Sequence, residues 1–189
     1  MIEIVQYRPS WPEEFLRMGR TLRSELGGLA LRIDHIGSTS IPGLAAKDVL
    51  DIQITAEDLE PRIAQALTQT GYRRVEAIVS DHVPPGQDAE PVNWRKWMFK
   101  TSENQRAANL HVRVAGRPNH RYPLLFRDYL RAHPGAARSY ALIKMVLARL
   151  HPEDLDAYYA VKDPVCDIIM DAGEEWALLT EWQSGPSDA

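Results

Sequence analysis

The stretch that decides the fold runs His35-Ile36-Gly37-Ser38-Thr39-Ser40-Ile41-Pro42-Gly43-Leu44-Ala45-Ala46-Lys47-Asp48-Val49-Leu50-Asp51-Ile52-Gln53-Ile54. Its pattern is strand, glycine turn, short helix and second strand. Gly37 lets the backbone turn tightly after the first strand. Ser38, Thr39 and Ser40 then set three hydroxyls and several open backbone N–H groups at the start of a short helix. Such groups favour anions, phosphate among them. Lys47 adds a positive charge. Over 49–55, Leu50, Ile52 and Ile54 alternate with Val49, Asp51, Gln53 and Thr55, so one strand face is apolar and the other carries an acid. Asp51 is suited to hold a divalent cation beside a bound phosphate. Clusters of Ser and Thr usually only cap helices. The acid on the next strand puts phosphate binding ahead of that plainer explanation.

Outward from this segment the periodicity predicts the remaining elements. Over 10–26, Trp11, Phe15, Met18, Leu22 and Leu26 recur at helical steps, with Ser10 as cap, Pro12 in the first turn and Gly27-Gly28 as the stop. Residues 30–36 predict a strand. Leu59, Ile63 and Leu67 predict a helix ending near Gly71, and 72–79 a third strand. Residues 80–93 hold three prolines and no apolar period, which predicts a loop. Long loops of this kind are often functional or disordered. Within it, Asp81 and His82 suit a lid, or simply the polarity of a loop. Two more strands follow over 94–100 and 108–114. In the second of these, Leu110, Val112 and Val114 face a core while Asn109, His111 and Arg113 share the other face. Three helices are expected from Arg121 onward, interrupted first at His133-Pro134, with a frayed tail over 183–189. The expected class is α/β (α+β): a mixed sheet flanked by helices, with a helical C-terminal third. One domain over 1–189 is expected, with the sheet-containing core at about 1–118 and helices at about 119–182, because the helices need the sheet to bury their apolar faces.

The chain has 189 residues, 44% of them hydrophobic, a formal net charge of -4 and a single cysteine. That length can bury a core without metal or disulfide staples. The weak negative charge argues against broad, non-specific nucleic-acid binding. Cys166 alone forms no internal disulfide and reads as a small core residue in a reducing compartment. The first residues are too short and polar for a signal peptide, and no apolar run suits a membrane span. A cytoplasmic location is therefore expected. Several motifs are absent. There is no Gly-x-x-x-x-Gly-Lys-Ser/Thr loop, no Gly-x-Ser-x-Gly elbow, no dinucleotide glycine signature and no His-Glu-x-x-His.

The chain resembles the GrpB family, whose domain is also found fused to some dephospho-CoA kinases. The resemblance runs through Val5-Gln6-Tyr7, Trp11 and Phe15, then His35 to Lys47 with Asp51-Ile52. It continues in Asn109-Leu110-His111-Val112, Phe126 to Leu130, Tyr140 with Lys144, and Tyr159 with Lys162. It implies a nucleotidyltransferase-like fold. In that larger group a Gly-Ser turn holds a triphosphate, two carboxylates at i and i+2 of the next strand hold Mg²⁺, and a third acid stands on another strand. Gly37-Ser38 matches the turn and Asp51 the first carboxylate. Gln53 stands where the second carboxylate would be, which leaves too little negative charge for two metals. Asp48 is a poor substitute, because its offset aims it at the other strand face.

The expected function is that of a nucleotidyltransferase-like protein that binds ATP or another nucleoside triphosphate with Mg²⁺. It would transfer a nucleotidyl group to an unknown acceptor. The alternative is a non-catalytic nucleotide- or phosphate-binding module. Asp51 and His111 are the catalytic candidates, His111 as base, metal ligand or phosphate donor. Asp51 and Gln53 are the metal candidates. Gly37, Ser38, Thr39, Ser40, Lys47, Gln53, Lys100, Arg113, Arg127 and Lys144 are the phosphate and substrate candidates. Lys96 and Lys100 share one strand face and could meet phosphates, a solvated edge being an equal alternative for Lys100, and for Arg127 the alternative is an ion pair with Asp128. His35, facing the core beside Ile33, is expected to be a hydrogen-bonded core histidine, and a weaker third idea joins it to His111 in a metal or hydrolytic site. Oligomeric state is left open.

Overall fold

The computed structural model describes residues 1–189. Five strands form one mixed sheet in the order β1-β2-β5-β4-β3: β1 (Arg32–Ile36), β2 (Leu50–Ala56), β3 (Arg73–Arg74), β4 (Trp97–Lys100) and β5 (Ala108–Val114). The β2–β5 pair is parallel and the other three are antiparallel. Register sets Asp51 opposite Ile36 on one side and Asn109 on the other, with Gln53 opposite His111. This is the mixed sheet flanked by helices that the family resemblance implies.

One sheet face is covered by α1 (Trp11–Leu26) and α2 (Pro61–Gln69). The period of α1 brings Trp11, Phe15, Leu22 and Leu26 onto Ile33, Leu50, Ile52, Ile54, Leu110 and Val112, all within one core. Truncating a fully buried member such as Ile52 to alanine is expected to cost about 2–5 kcal/mol. Ser10 does not cap α1 through its hydroxyl. Its backbone is already helical (φ -73, ψ -21), whereas a capping residue needs extended dihedrals.

The other face carries the functional candidates and is approached by α4 (Pro118–Ala132), α5 (Pro134–Leu150) and α6 (Leu155–Leu179). These helices build a separate core in which Leu125, Phe126, Leu130, Tyr140 and Met170 meet Ile41, Leu44 and Ala45. They therefore bury their apolar surface on one another and on the segment after the Gly37 turn, more than on the sheet itself. No helix is long and apolar enough to cross a membrane.

Three expectations are corrected. The strand foreseen over 72–79 is only Arg73–Arg74, because Val75 makes one further bond to Met98 and the Ile78 amide then closes a turn onto Val75. The strand foreseen from residue 94 starts at Trp97. Pro91–Trp94 forms a helical turn, α3, held by the Trp94 indole on the Asp88 carbonyl at 2.6 Å. The tail is not frayed. Ser187 and Asp188 accept from the Ile33 and His35 amides, both at 2.9 Å, and the Ala189 amide donates to Ile33 at 3.1 Å. The tail thus satisfies polar groups along the open edge of β1.

Candidate functional site

Gly37 leaves β1 with φ +67 and ψ -172, a conformation suited to glycine. The next three residues make one 3-10 turn rather than the expected helix start, so no helix dipole develops. Inside the turn the Ser40 amide and hydroxyl both donate to the Gly37 carbonyl, and the Ile41 amide donates to Ser38. Thr39 Oγ1 lies 3.0 Å from His35 Nε2. Of the three hydroxyls only that of Ser38 is left for the cleft, beside the unbonded amides of Ser38 and Thr39. The hydroxyls of Thr39 and Ser40 instead hold the turn. His35 is a core residue, stacked on Phe15 at 4.7 Å, and burial lowers its pKa to about 4.

The strand alternation of β2 delivers Asp51 directly under this turn, at one wall of a cleft of about 470 Å³. Asp51 Oδ1 accepts from Asn109 Nδ2 at 2.9 Å and lies 3.5 Å from His111 Nε2. Burial pushes the Asp51 carboxyl up, but the His111 and Asn109 donors and the Lys162 charge outweigh it and hold the acid below its usual range. His111 Nδ1 lies 3.5 Å from Lys96 Nζ. An ammonium only donates, so Nδ1 is the acceptor and Nε2 carries its hydrogen towards Asp51. Burial, with the Arg113 and Lys96 charges, lowers the imidazole pKa against the opposing pull of Asp51, and the ring is neutral near pH 7. The basic nitrogen of His111 thus faces Lys96 and its Nε2 faces Asp51.

Lys144 reaches in from α5, where it is 2% exposed. Its ammonium donates to Ser38 Oγ at 2.8 Å and to the Ala45 carbonyl at 2.7 Å, and no carboxylate pairs with it. Burial first, then repulsion from Lys162 and Lys47, lowers its pKa to about 7. Lys47 lies over the Tyr158 and Tyr159 rings at 4.5 and 5.0 Å, and Lys162 on α6 pairs with Asp163. At the opposite end of the cleft Asp81 binds Lys96 and Arg113.

Several expected site residues stand elsewhere. Gln53 is fully buried, its Oε1 taken by Arg113 and its Nε2 by the His120 carbonyl, so it offers no ligand to a metal in the cleft. Lys100 is exposed at the end of β4 and lines no part of the cleft. Arg127 is buried behind β1, where it holds the His35 carbonyl at 3.0 Å and Asp188 at 2.7 Å. His35 and His111 point to opposite sheet faces, since His35 is registered with Ile52 and His111 with Gln53, so they form no joint metal or hydrolytic site. Asp48 is held by Trp11 and Arg106 outside the cleft. Sequence reasoning gave Asp81, Lys96 and Lys162 no firm place in the site and did not consider Asn119. All four line the cleft.

No three His, Cys, Asp or Glu side chains converge as a metal cage. Asp51 is the one open carboxylate oxygen donor beside the turn, and the neighbouring amide N–H groups can donate to an anion but cannot ligate a metal. A lone carboxylate does not fit a pair of ions.

The family described as GrpB protein matches residues 1–172. The chain belongs to the GrpB family. Curated relatives of this GrpB protein include the dephospho-CoA kinase of Mycolicibacterium paratuberculosis, 35% identical over 96% of this chain and 48% of that one. They also include the UPF0157 protein YqkA of Bacillus subtilis, 32% identical over 100% of this chain and 50% of that one. The chain spans about half the length of these relatives. The solved structure of the conserved protein GrpB from Enterococcus faecalis superposes with a TM-score of 0.72 at 26% identity, covering 92% of this chain and 99% of that one.

Proposed function

We propose that this GrpB protein binds a nucleoside triphosphate with one Mg²⁺. The phosphate chain lies on the open amides of Ser38 and Thr39 under Lys144, and the ion is shared between that chain and Asp51. The observation that carries this is Lys144. A buried ammonium without a carboxylate is costly. Lys144 sits on Ser38 with Lys47 and Lys162 nearby, so the cleft has cationic charge in excess where the amides are open. Tyr140, Tyr158 and Tyr159 line the same end, where Lys144, Lys47 and Lys162 lie over their rings, and of the three only Tyr159 is exposed. Several relatives carry the name dephospho-CoA kinase. The shared half has no Gly-x-x-x-x-Gly-Lys-Ser/Thr loop, so that chemistry is not carried over.

The position of ionised Asp51 beside the turn favours a second reading, nucleotidyl transfer. An acceptor hydroxyl would attack the α-phosphorus and give its proton to solvent, while the bond from that phosphorus to the bridging oxygen breaks and pyrophosphate leaves. Bound Mg²⁺ would neutralise charge on the phosphates. Asn109 and His111 would fix the Asp51 carboxylate, and Lys144 would take up charge on the departing pyrophosphate.

Isothermal titration with ATP and Mg²⁺ tests the binding reading on wild type, Asp51→Ala and Lys144→Met. Binding in wild type that weakens in both variants supports it. Equal binding in all three, or none in wild type, removes it. Pyrophosphate release with a panel of hydroxyl acceptors separates transfer from binding alone.

A further inference from the structure

Beyond His111 the cleft holds a constellation that the nucleotide does not use. Four donors converge on the Asp81 carboxylate. Arg113 supplies Nε at 2.8 Å and Nη2 at 2.9 Å in a fork, Lys96 Nζ lies at 2.5 Å, and Asn119 Nδ2 at 3.1 Å. The fork is the geometry by which arginine recognises carboxylates and phosphates. The donors stand on regular structure: Arg113 in β5, Lys96 directly before β4, Asn119 in α4. Gln53 Oε1 fixes the remaining arm of Arg113 at 2.8 Å. The Lys96 and Arg113 side chains are only 9% and 6% exposed.

Three features set this apart from an ordinary buried ion pair. Two cations face one carboxylate, so the cluster is short of negative charge. Asn119 Oδ1 is buried without any hydrogen-bond partner, an acceptor waiting for a donor. Such groups are uncommon and call for an explanation. Finally, the anion comes from the loop ahead of α3, where the Asp81 amide donates to the Trp94 carbonyl at 2.9 Å next to the Ser80–Arg95 bridge, a tie made by the backbone alone. Rotation about the Asp81 side-chain bond withdraws the carboxylate without breaking that tie.

We propose that Lys96, Arg113 and Asn119 form a receptor for the oxyanion of a second ligand, one that bears a carboxylate or a phosphate, and that Asp81 occupies it in the ligand's place. The protonated oxygen of a monohydrogen phosphate, or a hydroxyl beside a carboxylate, supplies the donor that Asn119 Oδ1 lacks. If the cleft transfers nucleotidyl groups, this ligand is the acceptor. The receptor itself does not rest on that reading.

The test uses the full chain in a Lys144→Met background, which silences the Ser38 end and keeps the outcome separate from nucleotide binding. Melting temperatures are compared at equal ionic strength in chloride, phosphate and acetate. With Asp81→Ala added, phosphate or acetate is expected to raise the melting temperature by about 3–5 °C at ten times its Kd. The background alone responds no more than to chloride, and a further Arg113→Gln removes the response. A larger effect of phosphate marks a phosphate-bearing ligand, and a larger effect of acetate a carboxylate. Asp81→Asn, which keeps the side-chain volume, is measured in parallel. Should both variants be unfolded in chloride, recovery on refolding in phosphate or acetate is the supporting result. The same response with and without Asp81, no response in either variant, or no recovery overturns the proposal.

Discussion

A methyl group on Gly37 would lie 2.5 Å from Asp51 Oδ2 and 2.9 Å from Asp51 Cβ. The turn and the acid are therefore packed against each other, and glycine is required there twice, for its dihedrals and for the space. Gly37→Ala is expected to cost about 1–3 kcal/mol through backbone strain. It also displaces the Asp51 carboxylate, so Mg²⁺-ATP affinity should fall at least as far as in Asp51→Ala. Denaturant titration and calorimetry check both effects.

Under the proposed function, Lys144 should make polyphosphate binding depend on pH. Folding lowers its pKa from 10.5 to about 7, by burial and then by the neighbouring lysines. A polyphosphate on Ser38 favours the ammonium, so binding takes up protons and weakens as pH rises from 7 to 9. Loss of a charge-assisted hydrogen bond is worth about 1.5–3 kcal/mol, so Lys144→Met should bind roughly ten- to a hundred-fold more weakly and lose most of this pH dependence. Stability of the ligand-free protein runs the other way. Below about pH 7 the lysine is charged in both folded and unfolded chains and its burial cost is fully present. As pH rises from 7 towards 10.5 the folded chain sheds the proton first, and wild type gains stability relative to Lys144→Met. Calorimetry in buffers of different ionisation enthalpy, and melting curves across this range, measure the two trends.

His35 sets an acid limit. Its pKa, lowered by burial to about 4, lies below the ordinary 6.5, so the unfolded chain binds the proton first as pH falls. Stability contributed by the neutral ring is present above pH 6.5 and lost towards pH 4. Between pH 6.5 and 4.5 the loss attributable to this residue is about 2 kcal/mol. His35→Phe, which keeps an aromatic face for Phe15, should flatten that part of the curve in urea titrations.

Gln53→Glu tests whether the site lacks only a charge. The new carboxylate would stand beside Arg113, and the His120 carbonyl would lose its donor, at a cost of about 1–3 kcal/mol. Since Gln53 faces Arg113 and α4 rather than the cleft, Mn²⁺ titrated by electron paramagnetic resonance should bind no more tightly and at no additional site. Appearance of a second, tighter ion would show that the side chain can reach the cleft after all.

The sequence made local geometry legible and depth illegible. Alternation along 108–114 was enough to set Asn109, His111 and Arg113 on one face, because strand period is a property of the backbone alone. The same rule put Gln53 on the face of Asp51, but not the fact that α4 roofs Gln53 two residues further in. Lys96 and Lys100 share a strand face, yet only the first meets the cleft. Asp81 finds Lys96 across 15 positions through a bridge between Ser80 and Arg95, for which the 80–93 composition holds no period. Arg127 shows the same limit on a helix: the spacing gives its turn, and only packing shows that the guanidinium runs beneath β1.

The cleft follows the seam between two separately packed cores, with Ser38 and Asp51 on the sheet side and Lys144, Lys162 and Tyr158 on the helical side. Polar ties cross it at several points, among them Lys144 to Ser38, Arg131 to the Ser40 carbonyl, Arg127 to the His35 carbonyl and Gln53 to the His120 carbonyl. Whatever fills the gap becomes a keystone, and its affinity adds to the free energy that holds the halves shut. Without a ligand the protein would open and be cut by proteases more readily, so its lifetime would follow the supply of that ligand.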